Sequence, residues 1–166
     1  LPEIIEDCQL AIKKLQLVAT EFDLDMDRFF LSGSSAGAYL AAKCTFASLG
    51  NKPPAALVLL SGIYELEPLV GTYINDALSL AEEGAQAASW LGQVSEKFPP
   101  TIIAWGEIET DEFRRQSRSF AAELEASGAF VKWLEIPGRN HFDVALDLMG
   151  PGTLGQEFRK LIKMRS

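Results

Sequence analysis

Apolar residues recur at helical spacing from the start of the chain. Ile4, Ile5, Cys8, Ala11, Ile12, Leu15, Val18 and Ala19 predict an amphipathic helix over 2–20, opened by Pro2 and by the acidic Glu3, Glu6 and Asp7. Asp23, Asp25 and Asp27 punctuate a polar connection, read as a solvated loop because it lacks the glycine and distal Glu of a calcium loop. A strand is expected at 28–32, then an Ala-rich helix at 36–49 closed near Gly50. Pro53-Pro54 introduces Ala55-Ala56-Leu57-Val58-Leu59-Leu60, a continuous apolar run typical of a strand covered on both faces, and Ser61-Gly62 ends it. Residues 63–98 are irregular, with a helix expected at about 76–91. Pro99-Pro100 opens a strand from Thr101 to Trp105 that stops at Gly106. A helix over 112–127 buries Phe113, Phe120, Ala121 and Leu124 and stops at Gly128. A strand at 130–136 leads into the turn Pro137-Gly138-Arg139-Asn140 and then His141. The last helix, 154–165, is expected to start with a capping box from Thr153 to Gln156. It buries Leu154, Phe158, Leu161 and Ile162 and ends in Lys160, Lys163 and Arg165.

Alternation of helices and strands implies an α/β fold: three layers, with a mostly parallel sheet between helices. At 166 residues the chain is read as one domain, residues 1–166, with a pocket or cap insertion at 63–98. The opening Leu1-Pro2-Glu3 reads directly as a helix start, so the chain is expected to be a piece of a longer protein. Hydrophobic content of 48% is that of a soluble domain, and no apolar run is long enough to span a bilayer, so no membrane partner is expected. A net charge of −8 argues against a nucleic-acid partner. Cys8 and Cys44 sit among apolar neighbours and are expected to be buried free thiols, which fits a cytoplasmic location. With His141 the single histidine, no His cluster is available for a metal, and no cofactor is expected.

The chemistry gathers at strand ends. Gly33-Ser34-Ser35-Ala36-Gly37 is a G-x-S-x-G pattern between a strand and a small-residue helix. That is the setting of a nucleophile elbow, in which the serine stands at a sharp turn and the next amide, here that of Ala36, faces a developing oxyanion. An ordinary Gly/Ser turn would spell the same five letters, so the rest of the chain decides. A serine nucleophile needs a base and a carboxylate to orient it, in the hydrolase chain order Ser, Asp or Glu, His. His141 follows the last strand. Glu109 follows the strand before it, three residues beyond Gly106; Asp111 and Glu107 are alternatives in the same turn, and Asp143 lies close to His141. Tyr64, Tyr73, Asn75 and Phe142 are candidate pocket residues, with core packing the competing role for the aromatics.

The elbow, the turn Gly106-Glu107-Ile108-Glu109-Thr110-Asp111 and the turn around His141 resemble the α/β-hydrolase fold. More narrowly, Leu60-Ser61-Gly62-Ile63-Tyr64-Glu65-Leu66-Glu67-Pro68-Leu69, Asn75, Glu112-Phe113 and Gln116-Ser117 resemble kynurenine formamidase (arylformamidase) and its bacterial esterase relatives. The resemblance covers only the C-terminal part of that family's domain. It implies Ser35 as nucleophile, Glu109 at the acid position and His141 as base. It also implies that N-terminal strands, and a His-Gly-Gly loop supplying further oxyanion amides, are missing. The expected activity is therefore a metal-independent serine hydrolase acting on a small aryl formamide or ester of the N-formylkynurenine type, through an acyl-enzyme. A broad carboxylesterase and a truncated, non-catalytic binding module are the alternatives. Loss of the N-terminal strands would expose an interior sheet edge, to be covered by a homo-oligomer or by the missing segment.

Overall fold

The two most apolar runs of the chain become its two central strands. A computed structural model describes residues 1–48, 53–94 and 98–164, and in it four strands form one parallel sheet: β1 (Phe30–Ser34), β2 (Ala56–Leu60), β3 (Thr101–Ile108) and β4 (Val131–Asn140). Their order in space is their order in the chain. Every residue of β2 is buried, because successive side chains enter cores on opposite faces. On one face Leu57, Leu59, Ile103 and Trp105 pack with Ala38 and Ala42 of α2 (Ala36–Ser48) and with Phe120 and Leu124 of α5 (Asp111–Ala126). On the other, Val58, Leu60, Ile102 and Ala104 meet Leu154 and Leu161 of α6 (Thr153–Met164) and Val144. This is the three-layer α/β arrangement the patterning predicts.

Several local expectations change. The first helix, α1 (Pro2–Val18), forms, but none of its residues is buried. It packs on α2, with Leu1 and Ile5 reaching the core, while Ile4, Leu10, Leu15 and Leu17 are exposed. Cys8 is accordingly only half-buried; Cys44 on α2 is buried, and neither is in a disulfide. The strand expected at 28–32 starts later, because Asp25 caps a 3₁₀ turn over Met26–Arg28 by accepting from the Asp27 amide at 2.9 Å.

The single helix expected at 76–91 is instead two short ones, α3 (Asn75–Leu78) and α4 (Glu82–Ala88). Asn75 breaks it. Its side chain donates to the Val70 and Leu80 carbonyls and accepts from the Leu80 amide, while Ser79 turns left-handed at φ 50°.

Strands β3 and β4 both run past their predicted ends. Gly106 permits this: a Cβ there would lie 2.3 Å from the Arg139 carbonyl oxygen. The two strands therefore stay paired across a register shift that sets Ile108 against Asn140. The stretch 137–140, expected as a turn, is strand. Helix α5 stops at left-handed Gly128 as expected. In α6, Thr153 is the first helical residue rather than a cap, and the Gln156 side chain donates to the Pro151 carbonyl. The expected stop near Gly50 and the terminal Arg165 lie outside the described residues.

Candidate active site

Ser35, Ser61, Glu109 and His141 follow, in that order, the carboxyl ends of β1, β2, β3 and β4, where open α/β sheets place their sites. Ser35 is the turn residue between β1 and α2. Its φ of 57° lies in the left-handed region, and its amide donates to the Leu60 carbonyl at 2.8 Å. The turn closes because a Cβ on Gly33 would lie 2.1 Å from the Gly37 carbonyl oxygen, so only glycine fits at 33. A Cβ on Gly37 would meet nothing within 4 Å, so the second glycine of the pattern answers no steric demand. Ala36 is exposed and opens α2, with its amide at the positive end of that helix.

Glu109 carries a fully buried side chain in contact with His141, whose side chain is 21% exposed. His141 Nδ1 and Glu109 Oε2 are 3.0 Å apart. The other oxygen, Oε1, accepts from the Ser61 hydroxyl and from the Gly106 amide, each at 2.6 Å. Burial works to raise the Glu109 carboxyl, but the hydrogen bonds from His141, Ser61 and Gly106, with the charge of His141, outweigh it and hold the group below the ordinary carboxylate range. An ionised carboxylate only accepts, so Nδ1 carries the proton and donates, leaving Nε2 as the basic nitrogen. The imidazole lies against Phe113 at 4.2 Å between ring centres, with Phe142 edge-on at 5.4 Å. The His141 loop is fixed by Asn140, whose amide donates to Asp143 and whose side-chain oxygen accepts from the Phe142 amide; Arg139 pairs with Asp147.

The alternative acids are engaged elsewhere. Glu107 accepts from the Gly138 amide, Asp111 pairs with Arg114 in solvent, and Asp143 holds the Asn140 backbone.

Among the candidate pocket residues, Tyr64 belongs to the core. It is completely buried and stacks on Phe120 at 4.1 Å, and its amide donates to the buried Gln116. Asn75 is spent on its own loop. Tyr73 and Phe142 are 83% and 88% exposed, Phe142 beside His141.

Sequence reasoning passed over Ser61 and the Gly106 amide. Ser61 follows a strand just as Ser35 does, which was the available signal, but it reads as an ordinary strand terminator. The structure also opens an apolar cavity of about 120 Å³ against Ala36, walled by Ile4, Tyr39, Leu40, Ile63, Leu69 and Leu78 among others. Among the described residues no helix is long and apolar enough to cross a membrane.

A family model described as alpha/beta hydrolase fold matches residues 1–144. A kynurenine formamidase from Danio rerio is 34% identical over 135 residues, 75% of this chain and 46% of that protein. The esterase LipQ of Mycobacterium tuberculosis is 28% identical over 170 residues, 87% of this chain and 40% of its own length. The chain thus spans less than half the length of these relatives. Among solved structures, a hyperthermophilic esterase from the archaeon Pyrobaculum calidifontis superposes with a TM-score of 0.77 at 16% identity, over 96% of this chain and 59% of that one.

Proposed function

The chain belongs to the alpha/beta hydrolase fold family, and from that premise we propose that it is a serine hydrolase cleaving a small aryl formamide or ester through an acyl-enzyme. The observation that carries the reading is the buried Glu109 on Nδ1 of His141, which leaves Nε2 basic at the same carboxyl end of the sheet as the strained Ser35 turn. In this mechanism Ser35 Oγ attacks the substrate carbonyl carbon as its proton passes to His141 Nε2. Glu109 stabilises the resulting imidazolium, and the Ala36 amide donates to the oxyanion. His141 then protonates the leaving amine or alcohol as its bond to the acyl carbon breaks. Water, deprotonated by His141, releases the acid and restores Ser35. No step draws on a metal.

The apolar cavity favours the ester arm, in the manner of a carboxylesterase. His141 protonates the leaving group, so that group lies toward His141, and the acyl substituent points away from it. The cavity walls come from Leu1, Ile4, α2 and residues 63–78, and none from the His141 loop. An apolar cavity of ~150 Å³ holds one benzene ring, so about 120 Å³ suits a short alkyl or single-ring acyl group, which formyl lacks. Each methylene buried there should raise kcat/KM roughly fourfold until the space is full.

Labelling by a fluorophosphonate probe tests the reading, because only an activated serine reacts at useful rates. Ser35 in the native chain should be labelled and Ser35→Ala should not. An inert Ser35 in folded protein would leave the non-catalytic binding module standing. Comparing N-formylkynurenine with p-nitrophenyl acetate, butyrate and decanoate then separates the two arms, butyrate leading if the cavity takes the acyl group.

A further inference from the structure

Ser61 carries a backbone angle that glycine would adopt without cost. Its φ is 46°, it is completely buried, and its amide donates to the Ala104 carbonyl at 2.8 Å, which ties the end of β2 to β3. A side chain kept at a strained, buried position calls for a partner, and it has one: the hydroxyl donates to Glu109 Oε1 at 2.6 Å. Glu109 lies just past the end of β3 on a side chain with three rotatable bonds, so one contact with His141 would not fix its carboxylate plane. Two donors on Oε1, one from the end of β2 and one from the Gly106 amide, do fix it.

We propose that Ser61 is a positioning residue for this reaction: its hydroxyl, aimed by the left-handed turn after β2, locks Glu109 so that Oε2 meets Nδ1 of His141. The inference rests on reading Ser35, His141 and Glu109 as the reacting set. It assigns work to a fourth strand end, so that each of the four strands supplies one member.

Ser61→Gly separates the hydroxyl from the backbone, since glycine relaxes the strained φ while deleting the donor. A mere turn residue would leave the variant as stable as the parent or more so, with unchanged kinetics. The expected result is a kcat on p-nitrophenyl butyrate about tenfold to a hundredfold lower with KM little changed, the usual weight of a hydrogen bond to a charged group. In a Glu109→Gln background, Ser61→Gly should add almost nothing, because the group it positions is already altered. His141 is the single histidine, so its Nδ1–H gives one assignable low-field proton resonance. That signal should be present in the parent and broaden in Ser61→Gly and in Ser61→Ala, which keeps a Cβ at the same angles. Retention of both kcat and the resonance in the two variants would overturn the proposal. A parent whose Ser35 resists the fluorophosphonate would sink the hydrolase reading instead, while the resonance still decides the role of Ser61.

Discussion

Glu109 shows how a buried charge is kept useful. Its carboxyl is held below the ordinary range because hydrogen bonds from His141, Ser61 and Gly106 outweigh the cost of burial. A depressed folded value means that the ionised group stabilises the fold above the unfolded carboxylate pKa of ~4.3, and that this stability is lost as pH falls through the folded value. Glu109→Gln removes the charge at every pH. The parent should therefore melt roughly 3–10 °C above Glu109→Gln at neutral pH, and the gap should close on acidification below about pH 4. A gap that stays constant with pH would show that Glu109 is not held ionised. The buried Cys44 is a contrasting case: burial first, then the neighbouring Cys8, pushes its thiol up to about 11.

At the scale of elements, period and punctuation exposed nearly every helix and strand, because burial on two faces leaves continuous apolar runs and burial on one leaves a stripe. What they could not reveal is where pairing stops. Glycine and proline ended β3 and β4 on paper, yet Gly106 is what lets the two backbones close in and continue. Gly106→Ala would press a Cβ onto the Arg139 carbonyl, so it should displace the end of β4 and slow fluorophosphonate labelling of Ser35 even where the far-UV spectrum is unchanged. Unaltered labelling would show the bulge to be unimportant to the site. Ser35, Glu109 and His141 were legible as candidates because chemistry-bearing residues just beyond three strands of one sheet are seldom accidental. Ser61 escaped since a serine closing a strand is common, and Tyr64 and Asn75 misled since an aromatic or an amide reads alike in a core and in a pocket.

At the scale of the molecule, β1 has a strand partner on one side only among the described residues, and it is less buried than β2. An unpaired edge is a template for association, and α1 exposes Ile4, Leu10 and Leu17 besides. The chain should self-associate with rising concentration by light scattering, and Ser32→Lys, a charge on an exposed position of that edge, should suppress it without lowering the melting midpoint. Equal association of the two would place the contact elsewhere. The agreement of chain order with spatial order has a consequence for the newborn protein. Of these four strands β1 leaves the ribosome first, and each later one has its neighbour already made, so this part of the sheet can grow in the direction of translation. Under the proposed mechanism the serine emerges more than a hundred residues before its base. The hydroxyl stays chemically quiet in the nascent chain, and reactivity arrives only when the last strand docks.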